Sequence, residues 1–287
     1  MLLTTLAGKL ERAAFLDPAA SGLTTIVDAV LPTGKVKDAL HGRPLGHPVH
    51  PLLVALPIGM WSGAILLDLT TGAGGRAAAQ RLIGAGVLTV APTAAAGLAD
   101  WSALGEFQRP KRVGLVHAAA NVVTTVVYGA SWLARRRGDH ERGRNLALLG
   151  TAGLAVGGYL GGHLSYSQGV GVNRNADDDP TQPQEWTDAA AVADVPEGQL
   201  SRVDVAGHPV VLTRRSGELH AMGAVCSHYG APLEDGVVDA DDCLVCPWHE
   251  SRFRLRDGSV ARGPATSPQT SYDVRVRGLR VELRARG

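Results

Sequence analysis

The chain has 287 residues, 45% of them hydrophobic and 19% charged, which excludes a disordered or collagen-like polypeptide and allows two ordinary domains. Its formal net charge of +1 is unevenly divided, with 16 Lys+Arg against 12 Asp+Glu in residues 1–180 and 12 against 15 in residues 181–287. Neither part has the dense basic field that phosphate contacts require, so nucleic acid is excluded as a partner.

Residues 1–44 read as amphipathic, peripheral helices. The stretch 1–16 mixes Lys9, Glu11 and Arg12 without a small-residue cleavage site, so it does not read as a signal peptide, and 23–40 forms a second such segment. Charge then vanishes between Arg43 and Asp68, Arg81 and Asp100, Arg112 and Arg135, and Arg144 and Arg174. Each gap accommodates a membrane span of about 17 to 25 residues. Spans are expected near 50–70, 82–100, 113–134 and 146–165, within a transmembrane domain at 45–172. A soluble bundle is the alternative, but four consecutive segments lacking a polar face would leave it no surface for water. Gly84, Gly86, Gly97, Gly150, Gly153, Gly157, Gly158, Gly161 and Gly162 predict close helix contact in lipid. Trp61 falls inside a span, whereas Trp101 and Trp132 suit the interfacial belt. Flanking basic residues number seven on the side of the termini (Lys35, Lys37, Arg43, Arg109, Lys111, Arg112, Arg174) and seven opposite (Arg76, Arg81, Arg135, Arg136, Arg137, Arg142, Arg144), so they give no orientation.

With four spans, odd ones begin and even ones end on the side of the termini. His50 begins the first span, His117 lies near the start of the third and His163 ends the fourth, so the three share one depth, with Asp100 and Trp101 closing the second span there. Singly, each histidine can hydrogen-bond a backbone carbonyl or reach toward the interface. Together they are candidates for ligating haem b axially or hydrogen-bonding a quinone headgroup.

Residues 173–185, with Asp177, Asp178, Asp179, Pro180 and Pro183, read as a polar linker. From 186 to 287 the pattern changes to short strands at Val203–Val205, Val210–Thr213, Tyr272–Val276 and Leu279–Leu283, separated by turns at Gly207, Gly217 and Gly278. The expected fold is therefore α + β and multidomain, a four-helix transmembrane bundle followed by a small all-β domain. Its three cysteines, Cys226, Cys243 and Cys246, are too few for a disulfide scaffold. Cys226-Ser227-His228 and Cys246-Pro247-Trp248-His249 set a C-x-H and a C-x-x-H seventeen residues apart. Two thiolates and two imidazoles suit either zinc or a [2Fe–2S] cluster.

The surroundings of these ligands resemble the Rieske family over about residues 186–285: CSHYGAPL at 226–233, CPWHESRF at 246–253 and RGPA at 262–265. The resemblance implies that Cys226 and Cys246 hold a buried iron and His228 and His249 an outer one, with Pro264 in a loop over the cluster. Neutral imidazoles in place of two thiolates raise the reduction potential into a range of about −150 to +300 mV. The quinol-oxidising members carry two further cysteines joined as a disulfide. Here Ala231 and Trp248 occupy those positions, so no such bridge forms. Ser251 matches a hydroxyl that donates to a bridging sulfide, whereas Phe253 replaces a tyrosine donor, which implies a potential in the lower or middle part of the range. Glu250 stands where ferredoxin-type members mostly have glycine and reads as a solvated loop acid. Cys243, outside the ligand pattern, reads as a buried or free thiol. Residues 40–170, through HPVHPLLVALPIGMW at 47–61, are similar to a poorly characterised family of bacterial four-helix membrane domains, some of them joined to a Rieske domain.

These features predict a carrier in the bacterial inner membrane, an electron-transfer component or oxidoreductase subunit rather than a complete enzyme. It would pass single electrons between a quinone or haem and a redox partner protein. A ferredoxin-like role feeding a separate oxygenase or reductase is the second reading, since the chain has no room after His249 for a mononuclear-iron domain. A redox sensor is the third. The absence of a bridging disulfide and the unpaired Cys243 suit a cytoplasmic cluster domain.

Overall fold

Residues 2–176 and 182–286 are described by the computed structural model. Among them the first part of the chain forms seven α-helices: α1 (Leu2–Glu11), α2 (Asp17–Val30), α3 (Lys35–His41), α4 (His50–Thr70), α5 (Arg76–Ser102), α6 (Gln108–Arg136) and α7 (His140–Gly162). A π-helical turn, His163–Ser167, follows α7. The chain divides into two units, one of Met1–Pro32 and Pro48–Val170, the other of Thr33–His47 and Gly171–Gly287. The segment expected at 23–40 is broken, because Pro32 cannot donate a helical hydrogen bond, and α3 groups with the second unit rather than with α1 and α2.

In the first unit α4 to α7 pack against their chain neighbours, and α7 closes back on α4. Three stretches, His50–Thr70, Gly72–Ser102 and Gln108–Arg136, are long and apolar enough to cross a membrane. The fourth helix is not among them. Arg142 and Arg144 occupy its first turns, and Gly150, Gly153, Gly157, Gly158, Gly161 and Gly162 dilute the rest. Leu66, Leu69, Leu88, Val122, Val126, Leu149 and Val156 are exposed on these helices, while Trp61, Ala64, Ala79, Ile83, Tyr128 and Ala147 form the core. Trp61 stacks on Tyr128 with ring centroids 4.1 Å apart and donates Nε1–H to the Ile83 carbonyl at 3.2 Å.

The glycines of α5 and α7 make room for rings. Gly86 faces Trp61, Gly84 faces Trp132, Gly150 faces Tyr128 and Gly97 faces His50, each too closely for a methyl group. Trp101, only 7% exposed, is packed against Gly114 and donates to the Lys111 carbonyl at 3.1 Å, so it belongs to the α5–α6 contact. Arg135, expected in a loop, is buried in a bidentate ion pair with Asp68, its Nη1 2.8 Å from Oδ1.

The second unit holds ten strands: β1 (Thr187–Ala191), β2 (Leu200–Val205), β3 (His208–Arg215), β4 (Glu218–Gly223), β5 (Val237–Val238), β6 (Cys243–Val245), β7 (Arg252–Arg254), β8 (Val260–Arg262), β9 (Tyr272–Arg277) and β10 (Arg280–Ala285). They form antiparallel sheets ordered β1-β10-β9, β2-β3-β4 and β5-β6-β7-β8. Strand β3 is buried on both faces over Val210–Thr213, which explains its unbroken apolar run. One apolar cluster, including Val205, Val210, Leu212, Val281 and Leu283, joins the first two sheets. A second, including Met222, Leu233, Leu244, Phe253 and Leu255, lies beneath the loops that carry the paired cysteines and histidines and contains Cys226 and Cys246 themselves.

Candidate metal centre

The two loops that carry the ligand pattern connect strands of the small unit. Cys226 and His228 lie between β4 and β5, and Cys246 and His249 between β6 and β7. Each loop is folded by its own backbone. Gly230 N–H donates to Cys226 O at 2.9 Å and Glu250 N–H to Cys246 O at 3.1 Å, while the two cysteine amides donate to Ala231 O (2.9 Å) and Ser251 O (2.8 Å). These turns aim further amides at sulfur: those of His228 and Tyr229 at Cys226, those of Trp248 and His249 at Cys246.

The four side chains meet as two pairs. The thiols hydrogen-bond to each other, which holds the Cys226 proton well above the usual thiol range and brings Cys246 down to about 7. The imidazoles turn their Nδ1 atoms toward one another at 3.3 Å, with rings nearly perpendicular. Burial first, then the nearby His249, His41 and Arg174, holds His228 neutral and lowers it to about 3. Two sulfurs beside each other and two ring nitrogens beside each other suit two irons, so this donor set fits a [2Fe–2S] cluster.

The tuning candidates surround the ligands. Ser251 is fully buried, and its Oγ accepts the Ala265 amide at 3.0 Å. Phe253 is fully buried in the same apolar cluster as Cys226 and Cys246. Pro264 follows Gly263 in the loop after β8. Glu250 is exposed and left-handed, with φ 58°, a conformation that glycine adopts without a Cβ penalty. Cys243 is buried, and its Sγ–H donates to the Asp241 carbonyl at 3.5 Å; burial, aided by Asp239, pushes this thiol up.

Four nearby residues carried no sequence signal. Arg174 N–H donates to Ser227 O at 3.0 Å, and its guanidinium covers the Tyr229 ring at 5.2 Å. Asn175 Nδ2 donates to Val225 O at 2.9 Å. Asp38 and His41, from α3, are buried against Gly263. The start of the expected linker and a helix ahead of the bundle thus contact the cluster loops; Asp177, Asp178, Asp179 and Pro180 lie outside the described residues.

Each of the three candidate histidines, His50, His117 and His163, is anchored. His50 Nδ1–H donates to Thr93 O at 2.9 Å and His117 Nδ1–H to Gly157 O at 3.0 Å, in the tautomer those acceptors require. His117 Nε2 accepts from Asn121 at 3.1 Å. His50 and His117 lie within electrostatic range of each other. His163 is engaged elsewhere, its Nε2 2.8 Å from Glu11 Oε1. Burial works to raise the Glu11 carboxyl, but hydrogen bonds from His163 and Gln168 outweigh it and bring it below the usual value.

Comparison with known proteins agrees with this division. Residues 185–273 match the family described as Rieske [2Fe-2S] domain, and residues 46–174 match a predicted membrane protein family (DUF2231). The chain is 34% identical over 101 residues to the ferredoxin component of naphthalene 1,2-dioxygenase/salicylate 5-hydroxylase systems from Ralstonia sp, a match covering 35% of this chain and 96% of that protein. It is 41% identical over 91 residues to the 3-phenylpropionate/cinnamic acid dioxygenase ferredoxin subunit of Escherichia coli strain K12, covering 31% and 84%. Among solved structures, the ferredoxin of carbazole 1,9a-dioxygenase from Nocardioides aromaticivorans IC177 is 29% identical over 35% of this chain and 98% of that one, with a TM-score of 0.34.

Proposed function

The chain belongs to the Rieske [2Fe-2S] domain family, and from that premise we propose that it is a membrane-anchored carrier of single electrons. Cys226 and Cys246 would hold one iron and His228 and His249, through Nδ1, the other. The cluster, when bound, supplies reversible one-electron transfer. The protein's share is to aim four backbone amides at the two sulfurs, which favours their thiolate form, and to keep His228 dry and neutral. The observation that carries the reading is the pairing of thiol with thiol and imidazole with imidazole.

Purified protein in detergent is expected to show a Rieske electron spin resonance signal and to contain two irons for each cluster. His249→Ala is expected to abolish the signal. A protein that binds zinc and no iron, or a variant with unchanged iron and spectrum, overturns the reading.

The membrane-domain match and the apolar helices support an integral membrane location. Exposed Leu148, Leu149 and Val156 on α7 support a fourth span despite its glycines. With Cys226 and Cys246 as the proposed ligands no cysteine pair is left to bridge the cluster loops, and Cys243 is a free thiol, which supports a cytoplasmic cluster domain. A fluorescent reporter at the C-terminus should then be active, and an alkaline phosphatase fusion inactive.

For the membrane partner we favour the quinone pool, a quinol hydroxyl donating to His50 Nε2, the acceptor left once Nδ1–H is committed to Thr93 O. The Asn121 amide already occupies His117 Nε2, which disfavours axial ligation of haem b there. Extracted quinone without a Soret band is the expected result. The relatives named as ferredoxin components support a second reading, delivery of electrons to a separate oxygenase. Reduction of an added oxygenase at a rate unaffected by His50→Ala would favour it.

A further inference from the structure

Asp38 lies ahead of the helical bundle and outside residues 185–273, which match the iron–sulfur family. Its Oδ1 accepts the Gly263 amide at 3.0 Å in a buried hydrogen bond, and its Oδ2 is 3.3 Å from Arg43 Nε. His41, only 4% exposed, packs on the same glycine, its Cδ2 3.5 Å from where a Cβ would stand. Gly263 opens the Pro264 loop, and Ala265, two residues on, is tied to Ser251 beside the ligand His249. The loop is therefore fastened twice, by Ser251 from within the ligand loop and by Asp38 from α3. A carboxylate acceptor makes the stronger sort of hydrogen bond, and losing it strands a buried N–H.

We infer that Asp38 is a positioning residue for the iron–sulfur centre, its carboxylate holding the Gly263–Pro264 loop against the cluster ligands from outside the Rieske sequence while Arg43 orients it. No helix-capping role accounts for the contact, since the amide it accepts lies 225 positions along the chain. The inference rests on the Rieske reading for its spectral consequence, but the contact itself is testable without the cluster.

Full-length protein in detergent is compared with Asp38→Ala, Asp38→Asn and Arg43→Gln. Hydrogen exchange of the peptide containing Gly263 is measured with the resonance spectrum and the midpoint potential. Asp38→Ala should speed that exchange at least tenfold, shift the g-values and raise the midpoint, because water admitted to the cluster stabilises its more negative reduced form. Asn retains an acceptor oxygen and should restore exchange and g-values, with Arg43→Gln intermediate. Wild-type exchange and spectrum in Asp38→Ala, or an Asn variant that behaves like Ala, overturns the inference. If Asp38→Ala does not accumulate, Arg43→Gln decides: faster exchange with a shifted spectrum supports the role, and wild-type values reject it. A wild-type protein without a Rieske signal would instead sink the functional reading and leave the exchange test standing.

Discussion

Glu250 pays a conformational cost that its exposure conceals. With φ 58° it occupies the left-handed region, where an L side chain costs about 1–2 kcal/mol. Glycine avoids that penalty but loses about 0.5–1 kcal/mol through its freer unfolded chain. Glu250→Gly is therefore expected to raise stability by about 0.5–1 kcal/mol, measured by thermal unfolding of the iron-loaded protein. Ser251 is the opposite case. Fully buried, it gives the Ala265 amide its acceptor, so Ser251→Ala should cost about 1–3 kcal/mol and, on the proposed reading in which its hydroxyl donates toward the cluster, lower the midpoint potential. Both positions were visible in the sequence because the ligand spacing fixes their neighbours. Asp38 was not: a hydrogen bond to a residue 225 positions away leaves no local pattern.

Among the elements, the helices show how composition informs packing without specifying it. The glycine content of the apolar segments indicated close approach, but not that Gly86 faces the Trp61 indole and Gly150 the Tyr128 ring. Gly86→Ala should force that indole aside and destabilise the bundle by about 1–3 kcal/mol, read as a lower unfolding temperature in detergent. Strands were legible where apolar runs met glycine turns, as at Val210–Thr213 within β3, whereas β5 to β8 are two or three residues long and too short for periodicity to show. Strand β9 also supplies a pH test. Burial pushes the Tyr272 phenol up to about 12. Since the folded pKa exceeds the unfolded value of about 10, the stabilisation is fully present below pH about 10 and is lost as pH rises toward 12. Alkaline unfolding should lose about 2 kcal/mol over that interval. Tyr272→Phe should flatten the limb; an unchanged profile would reject the assignment.

At the scale of the whole chain, the charge-free gaps and the Cys–His spacing marked out a membrane part and an iron–sulfur part, because each rests on short-range sequence statistics. The fourth span was less secure, since glycines bring the α7 hydropathy down even though Leu149 and Val156 stand exposed. That Thr33–His47 groups with the second unit was not legible, because it depends on packing far along the chain. One practical consequence follows from that segment. Residue 38 is encoded before the helical bundle and residue 263 after it, so a soluble fragment trimmed to the homologous borders would contain the donor of their shared hydrogen bond but not the acceptor. A fragment that joins Thr33–His47 to Gly171–Gly287 keeps both halves of that contact, and on the inference above its electrochemistry should match the parent's where the trimmed fragment's departs.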